Sequence, residues 1–192
     1  MSSLVTGFGS FPGVPENPCQ TVLAYLDSRR ATEIVSRTLP VSYRRSIVEL
    51  DKLIAERQPR FVVQLGVSAK TDVVKLEQFA YNIRDASIPD VDGDYCRAVP
   101  IRAGGLAAAR QSICDLQELQ RQLLSRGYQT VLSTDPGKYV CNNIYWHTLD
   151  TYPKTPSVFV HIPMLNDSNQ QTVCETCTEL VLLLDTLYCT AV

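Results

Sequence analysis

An α/β fold, three-layered as α/β/α around a central mixed, mostly parallel twisted sheet, is predicted by three features of the chain. Short β-branched apolar runs alternate with longer amphipathic stretches. Several of those runs stop at a glycine or proline, as at Gly7, Pro40, Gly66 and Pro163. With 45% apolar residues in 192, the chain can bury one sizeable core, and no repeat, low-complexity tract or linker divides it. One domain spanning 1–192 is therefore expected.

Taken in order, residues 3–7 (Ser-Leu-Val-Thr-Gly) read as the first strand, and a turn-rich loop follows to Asn17-Pro18. Thr21, Val22, Leu23, Tyr25 and Leu26 give the next segment an apolar helical stripe, and 33–39 reads as a second strand. In 46–56 the apolar residues Ile47, Val48, Leu50, Leu53 and Ile54 recur at helical spacing. Pro59 then precedes a buried-looking strand at 61–66, completing a β-α-β unit whose strand ends in a glycine, where ligands collect in open sheets. Alternation through 76–82 predicts a strand or hairpin, and 89–94 is turn-rich. The polar stretch 84–104 is an excursion within the domain, of a length often given to function or mobility. After Gly104-Gly105 an Ala-, Leu-, Gln- and Arg-rich region reads as helix to Arg126, stopped by Gly127. Strand 130–133, helix 138–149, strand 157–162 and a helix over roughly 170–188 complete the alternation.

A formal charge of −2, from 18 basic and 20 acidic side chains spread along the chain, offers no basic stripe for nucleic acid and no polybasic patch for anionic lipid. Apolar stretches such as 180–184 fall far short of a membrane span, and the first residues run into a strand rather than a signal-peptide core. Seven cysteines, an odd set without regular spacing, suit reduced thiols, so a cytoplasmic protein is expected.

Cys141 is the most informative of those thiols. A strand-like run at 130–132 feeds a Pro136-Gly137 turn and then an amphipathic segment, which puts the sulfur at the mouth of a helix. Backbone N–H groups there favour a thiolate and can stabilise an oxyanion. A thiol nucleophile needs a base, and the chain has two histidines. Within one helix, six residues at about 100° each turn His147 roughly 240° from Cys141, so it points away. His161 ends a predicted strand, and if that strand were a parallel neighbour of 130–133 its end would lie beside the turn before Cys141. Glu77 is the best candidate for a carboxylate that fixes the imidazole tautomer, although a charged residue in a half-apolar segment is usually the solvent-facing member of an alternating strand.

Several segments together resemble the pyroglutamyl peptidase I family of cysteine peptidases. Residues 6–13 (TGFGSFPG) with Asn17-Pro18 are similar to its opening TGF-x-PFGG…NPS, and Leu65-Gly66-Val67-Ser68 followed by Leu76-Glu77 to its GVS…LE variant. Residues 133–142 resemble its nucleophile motif, and 159–163 (FVHIP) its FIH-[VI]-P motif. Gln78 stands where bacterial members carry arginine after the glutamate, Ser87 where an A-R-I-P-D arginine is often found, Pro12 in place of a glycine and Cys19 in place of a small polar residue.

The resemblance implies Cys141 as nucleophile, His161 as general base and acid, and Glu77 as the residue that orients His161. It implies that Phe8 and Phe11 wall a pocket for a lactam ring, with Tyr139, Asn17 and Val67 as further substrate-binding positions. The implied substrate is a peptide with an N-terminal pyroglutamate, no cofactor or metal is called for, and a homo-oligomer is expected. Ser87 motivates an alternative, a non-catalytic relative that binds a small cyclic or acyl ligand. Cys174 and Cys177, a single CxxC on a predicted helix, motivate a redox reading.

Overall fold

The computed structural model describes residues 2–29, 33–104 and 108–189. Its main sheet has six strands in the order β2-β1-β3-β8-β4-β7. In chain order these are β1 (Ser3–Phe8), β2 (Ile34–Leu39), β3 (Val62–Val67), β4 (Val74–Glu77), β7 (Thr130–Ser133) and β8 (Ser157–Ile162). The strands β2, β1, β3 and β8 are mutually parallel, β4 runs antiparallel to β8, and β7 is parallel to β4. The central strands β1 and β8 are buried along their whole length, which is why they read as mostly apolar, with Ser3, Thr6, Ser157 and His161 as the buried polar exceptions.

Side-chain alternation sorts these strands into two cores. Val5, Val63, Leu65, Leu76, Val158, Val160 and Ile162 leave one face and pack against α1 (Pro18–Arg29), α3 (Leu116–Ser125) and α5 (Gln170–Cys189). Leu4, Phe8, Val62 and Phe159 leave the other and pack against α2 (Arg45–Arg57) and α4 (Val140–Thr151). The expected three layers are present. Cys174 and Cys177 of α5 lie buried in the first core, where they act as small apolar side chains rather than an accessible redox pair.

Three sequence expectations change. The 76–82 segment breaks at Gln78, whose N–H bonds Ser133 O at 2.8 Å while its carbonyl accepts from Ser112 N. Beyond it β5 (Phe79–Tyr81) leaves the main sheet and pairs antiparallel with β6 (Ala109–Gln111). The region expected to be helical up to Arg126 therefore opens with a strand, its residues 105–107 lie outside the described residues, and α3 starts only where the Asp115 carboxylate caps Glu118 N–H at 2.9 Å. Local composition favoured helix, but pairing with β5 overrides it. Finally, β7 is not beside β8, because β4 lies between them and reverses the direction. Residues 134–139 must therefore carry the chain back across the sheet to the start of α4.

Candidate active site

The carboxyl ends of β3 and β8 lie side by side, with Gly66 registered against His161. Residues in register share a face, so His161 leaves the sheet on the side where a Gly66 side chain would stand. That space is filled. A Cβ on Gly66 would meet Cys141 Sγ at 2.9 Å and the Phe159 ring at 2.8 Å, so only glycine lets the first turn of α4 settle this close to the strand. Gly137, at φ +75°, provides the left-handed turn that brings the chain there.

On β4, Glu77 is registered against Phe159, two residues before His161, so all three share one face. The diagonal distance suits a carboxylate, and Glu77 Oε1 lies 2.8 Å from His161 Nδ1. Glu77 is fully buried, its Oε2 has no protein partner, and His161 is buried with its ring tilted at 5.0 Å from Phe159. With Nδ1 engaged, Nε2 is the ring nitrogen left for chemistry. The structure thus gathers Cys141, His161 and Glu77 at one end of one sheet face, although β7 and β8 are not the neighbours the sequence suggested.

Cys141 is the second residue of α4, and the first helical bond runs from Asn143 N–H to Tyr139 O at 3.1 Å. Among the described residues the N–H groups of Val140, Cys141 and Asn142 have no backbone carbonyl partner, so they are available to an oxyanion. Burial works against the expected thiolate. Burial pushes the Cys141 thiol up from its ordinary range, and the nearby Cys19 and Glu77 push it further, against only the thiol's own backbone N–H. Desolvation thus opposes what the helix start offers the sulfur.

The remaining expected residues surround this group unequally. Phe8 ends β1 inside the α2/α4 core, and Phe11 packs at that core's edge with a bridge to Val14. Tyr139 precedes α4, stacks edge-on at 5.6 Å from Tyr43 and donates its hydroxyl to Pro89 O at 2.8 Å. Asn17 is buried and spends its amide on the loop itself, donating to Gly9 O at 2.9 Å and accepting from Cys19 N at 3.0 Å. Val67 alternates to the face opposite Gly66, so its side chain points away from Cys141. His147 does turn away, held by Asp51 of α2 at 2.8 Å. A cleft of about 700 Å³ lined by Tyr81, Ile83, Thr134 and Lys138 contains none of Cys141, His161 or Glu77.

Sequence reasoning missed the residues that fix α4. The buried Asn142 side chain accepts from Tyr81 N and donates to Tyr81 O and Ile83 O, each at 2.8 Å. Asn143 donates to Tyr43 O at 2.9 Å and accepts from Arg84 Nε at 2.7 Å, while Tyr145 donates its hydroxyl to Glu77 O at 2.9 Å. The only signal was two consecutive asparagines directly after the cysteine.

The family model described as "Pyroglutamyl peptidase" matches residues 1–182. The chain belongs to the pyroglutamyl peptidase family. Within it, the pyrrolidone-carboxylate peptidase of Thermococcus litoralis is 30% identical over 171 residues, covering 85% of this chain and 77% of that protein. That of Pyrococcus furiosus is 30% identical over 172 residues, covering 86% and 82%. The solved structure of the Thermococcus litoralis pyrrolidone carboxyl peptidase superposes with a TM-score of 0.86 at 25% identity, covering 98% of this chain and 94% of its own. Pyroglutamyl peptidases of this kind are cysteine peptidases, and the α/β fold is the same.

Proposed function

We propose that this chain removes pyroglutamate from the N-terminus of peptides, with Cys141 as nucleophile, His161 as general base and then acid, and Glu77 holding His161. The observation that carries the reading is the 2.8 Å contact between His161 Nδ1 and a fully buried Glu77, on the face where Cys141 Sγ fills the space over Gly66. The S–H proton passes to His161 Nε2 as sulfur attacks the carbonyl carbon. The N–H groups at the start of α4 receive the oxyanion. The imidazolium, stabilised by Glu77, gives its proton to the departing amine, and water then releases pyroglutamate from the thioester.

Phe8 and Phe11 supply apolar walls for a flat lactam, and Tyr139 narrows the opening. A free α-amine would arrive charged and be costly to desolvate there, whereas the lactam is neutral. Asn17 acts by holding the Phe8–Phe11 loop to α1, and Val67 through its backbone. The intact Cys-His-Glu set does not favour a non-catalytic relative. Exposed Ile88, Val91, Tyr95 and Val99 on the 84–104 segment support a homo-oligomer, and the free thiols support a cytoplasmic setting. No described helix is long and apolar enough to cross a membrane.

Release of aminomethylcoumarin from its pyroglutamyl amide tests the reading. Turnover by the wild type that vanishes in Cys141→Ala is expected; a silent wild type that still binds free pyroglutamate would favour the ligand-binding alternative.

A further inference from the structure

The row of residues that holds His161 continues past it. Gly66 of β3 is registered with His161 of β8, His161 with Lys75 of β4, and Lys75 with Val131 of β7. All four leave the same face. On the other side of Gly66, Phe8 follows Gly7, which is registered with Leu65, so Phe8 stands one strand beyond the thiol. Across the sheet the order is Phe8, Cys141 over Gly66, His161, Lys75, at about 4.8 Å per strand. Acyl-pocket wall, nucleophile, proton donor and lysine thus lie along one line.

Lys75 is unusual among the lysines. Lys52, Lys70, Lys138 and Lys154 are exposed, and Lys75 alone is half-buried. Lys52 and Lys138 pair with Glu56 and Asp85, yet among the described residues no carboxylate lies within 4.0 Å of Lys75. The carboxylate on its own face, Glu77, is taken by His161. Val131, next in the row, is 39% exposed, so this end of the face is open to an incoming chain. A half-buried cation without a counter-charge, two strands from the nucleophile on the proton-donor side, is suited to a ligand's negative charge.

We propose that Lys75 forms a carboxylate-binding subsite on the leaving side of the scissile bond, selecting pyroglutamyl substrates whose next residue carries a negative charge. The inference rests on the peptidase reading above. The leaving residue must pass over His161 to collect its proton, and one extended residue of about 3.3 Å brings its side chain or terminal carboxylate to the β4 strand. The carboxylate is either the α-carboxylate of a pyroglutamyl dipeptide or an acidic side chain.

The test compares kcat/KM ratios within each protein: pyroglutamyl-alanine against its amide, and pyroglutamyl-glutamate amide against pyroglutamyl-glutamine amide. In the wild type the charged member of one pair is expected to be preferred by about five- to tenfold, which also identifies the source. In Lys75→Met that ratio should fall to near one, and in Lys75→Glu below one. Each ratio is internal to one protein, so a lower active fraction does not move it. Wild-type ratios of one in both pairs, or a preference unchanged in Lys75→Met, would overturn the subsite while leaving the peptidase intact. A wild type that cleaves none of the four substrates would overturn both.

Discussion

Cys141 and Glu77 show how far residue identity and residue state separate. The motif around Cys141 and the Phe-Val-His-Ile-Pro run marked out the thiol and His161, but the upward push on the thiol depends on burial, on Cys19 and on a carboxylate more than sixty residues away in sequence, which no local pattern encodes. Since the thiol sits above its ordinary range, its thiolate fraction should grow tenfold per pH unit through pH 9. Alkylation of Cys141 by iodoacetamide, followed by mass spectrometry, is expected to accelerate steadily over that range. A rate plateau below pH 7 would instead show a preformed thiolate. Glu77→Gln removes the charge that steadies the imidazolium and disturbs the tautomer, so kcat should drop by about 10²–10⁴ with KM little changed. Because the carboxylate is fully buried with Oε2 unpaired, the same variant should unfold at no lower a temperature than the wild type. A kcat within fivefold of wild type would remove Glu77 from the mechanism.

At the scale of elements, α4 is the piece on which the site turns, and it is fixed by side chains rather than by helix propensity. Its first turn is bolted to β5 by Asn142, and its third reaches Gln64 of β3 through Thr148 at 3.0 Å. Strand β5 was hidden in the sequence because three residues cannot display a period, and β6 was hidden because alanine and arginine at 109–110 favour helix. The strands β1, β3 and β8 were plain because burial on both faces demands mostly apolar residues, interrupted in these strands by Ser3, Thr6, Gln64, Ser157 and His161. Asn142→Ala leaves Tyr81 and Ile83 with unpaired backbone groups in a partly buried setting. It should cost about 2–4 kcal/mol in urea unfolding and lower kcat as the sulfur loses its fixed place. A cost below about 0.5 kcal/mol would mean that water replaces those bonds at little expense.

For the molecule as a whole, alternating periodicities were enough to read three layers, whereas the reversed β4 was not legible, because a four-residue strand carries no mark of its direction. The same layering buries Cys19 and Cys177 in one core and half-buries Cys141 against the other, and this has a consequence for stability. Burial pushes Cys19 up to about 12 and drives Cys177 and Cys141 upward as well, with neighbouring groups adding to the last two. In the unfolded chain these thiols ionise near about 8.5. Above that pH the unfolded state has released protons that the folded state keeps, so the unfolded state gains and stability falls as pH rises. The loss begins at the unfolded value and, for Cys19, continues until about pH 12. Each fully buried thiol contributes up to about 1.4 kcal/mol per pH unit in that window. The urea midpoint, measured under reducing conditions, should be level from pH 7 to 8 and decline steeply above 8.5, recovering when the sample is returned to pH 7. Cys177→Ala should start lower, because it opens a cavity, but fall with a shallower slope. An equal slope in the two proteins would show that groups other than this thiol govern the alkaline limb.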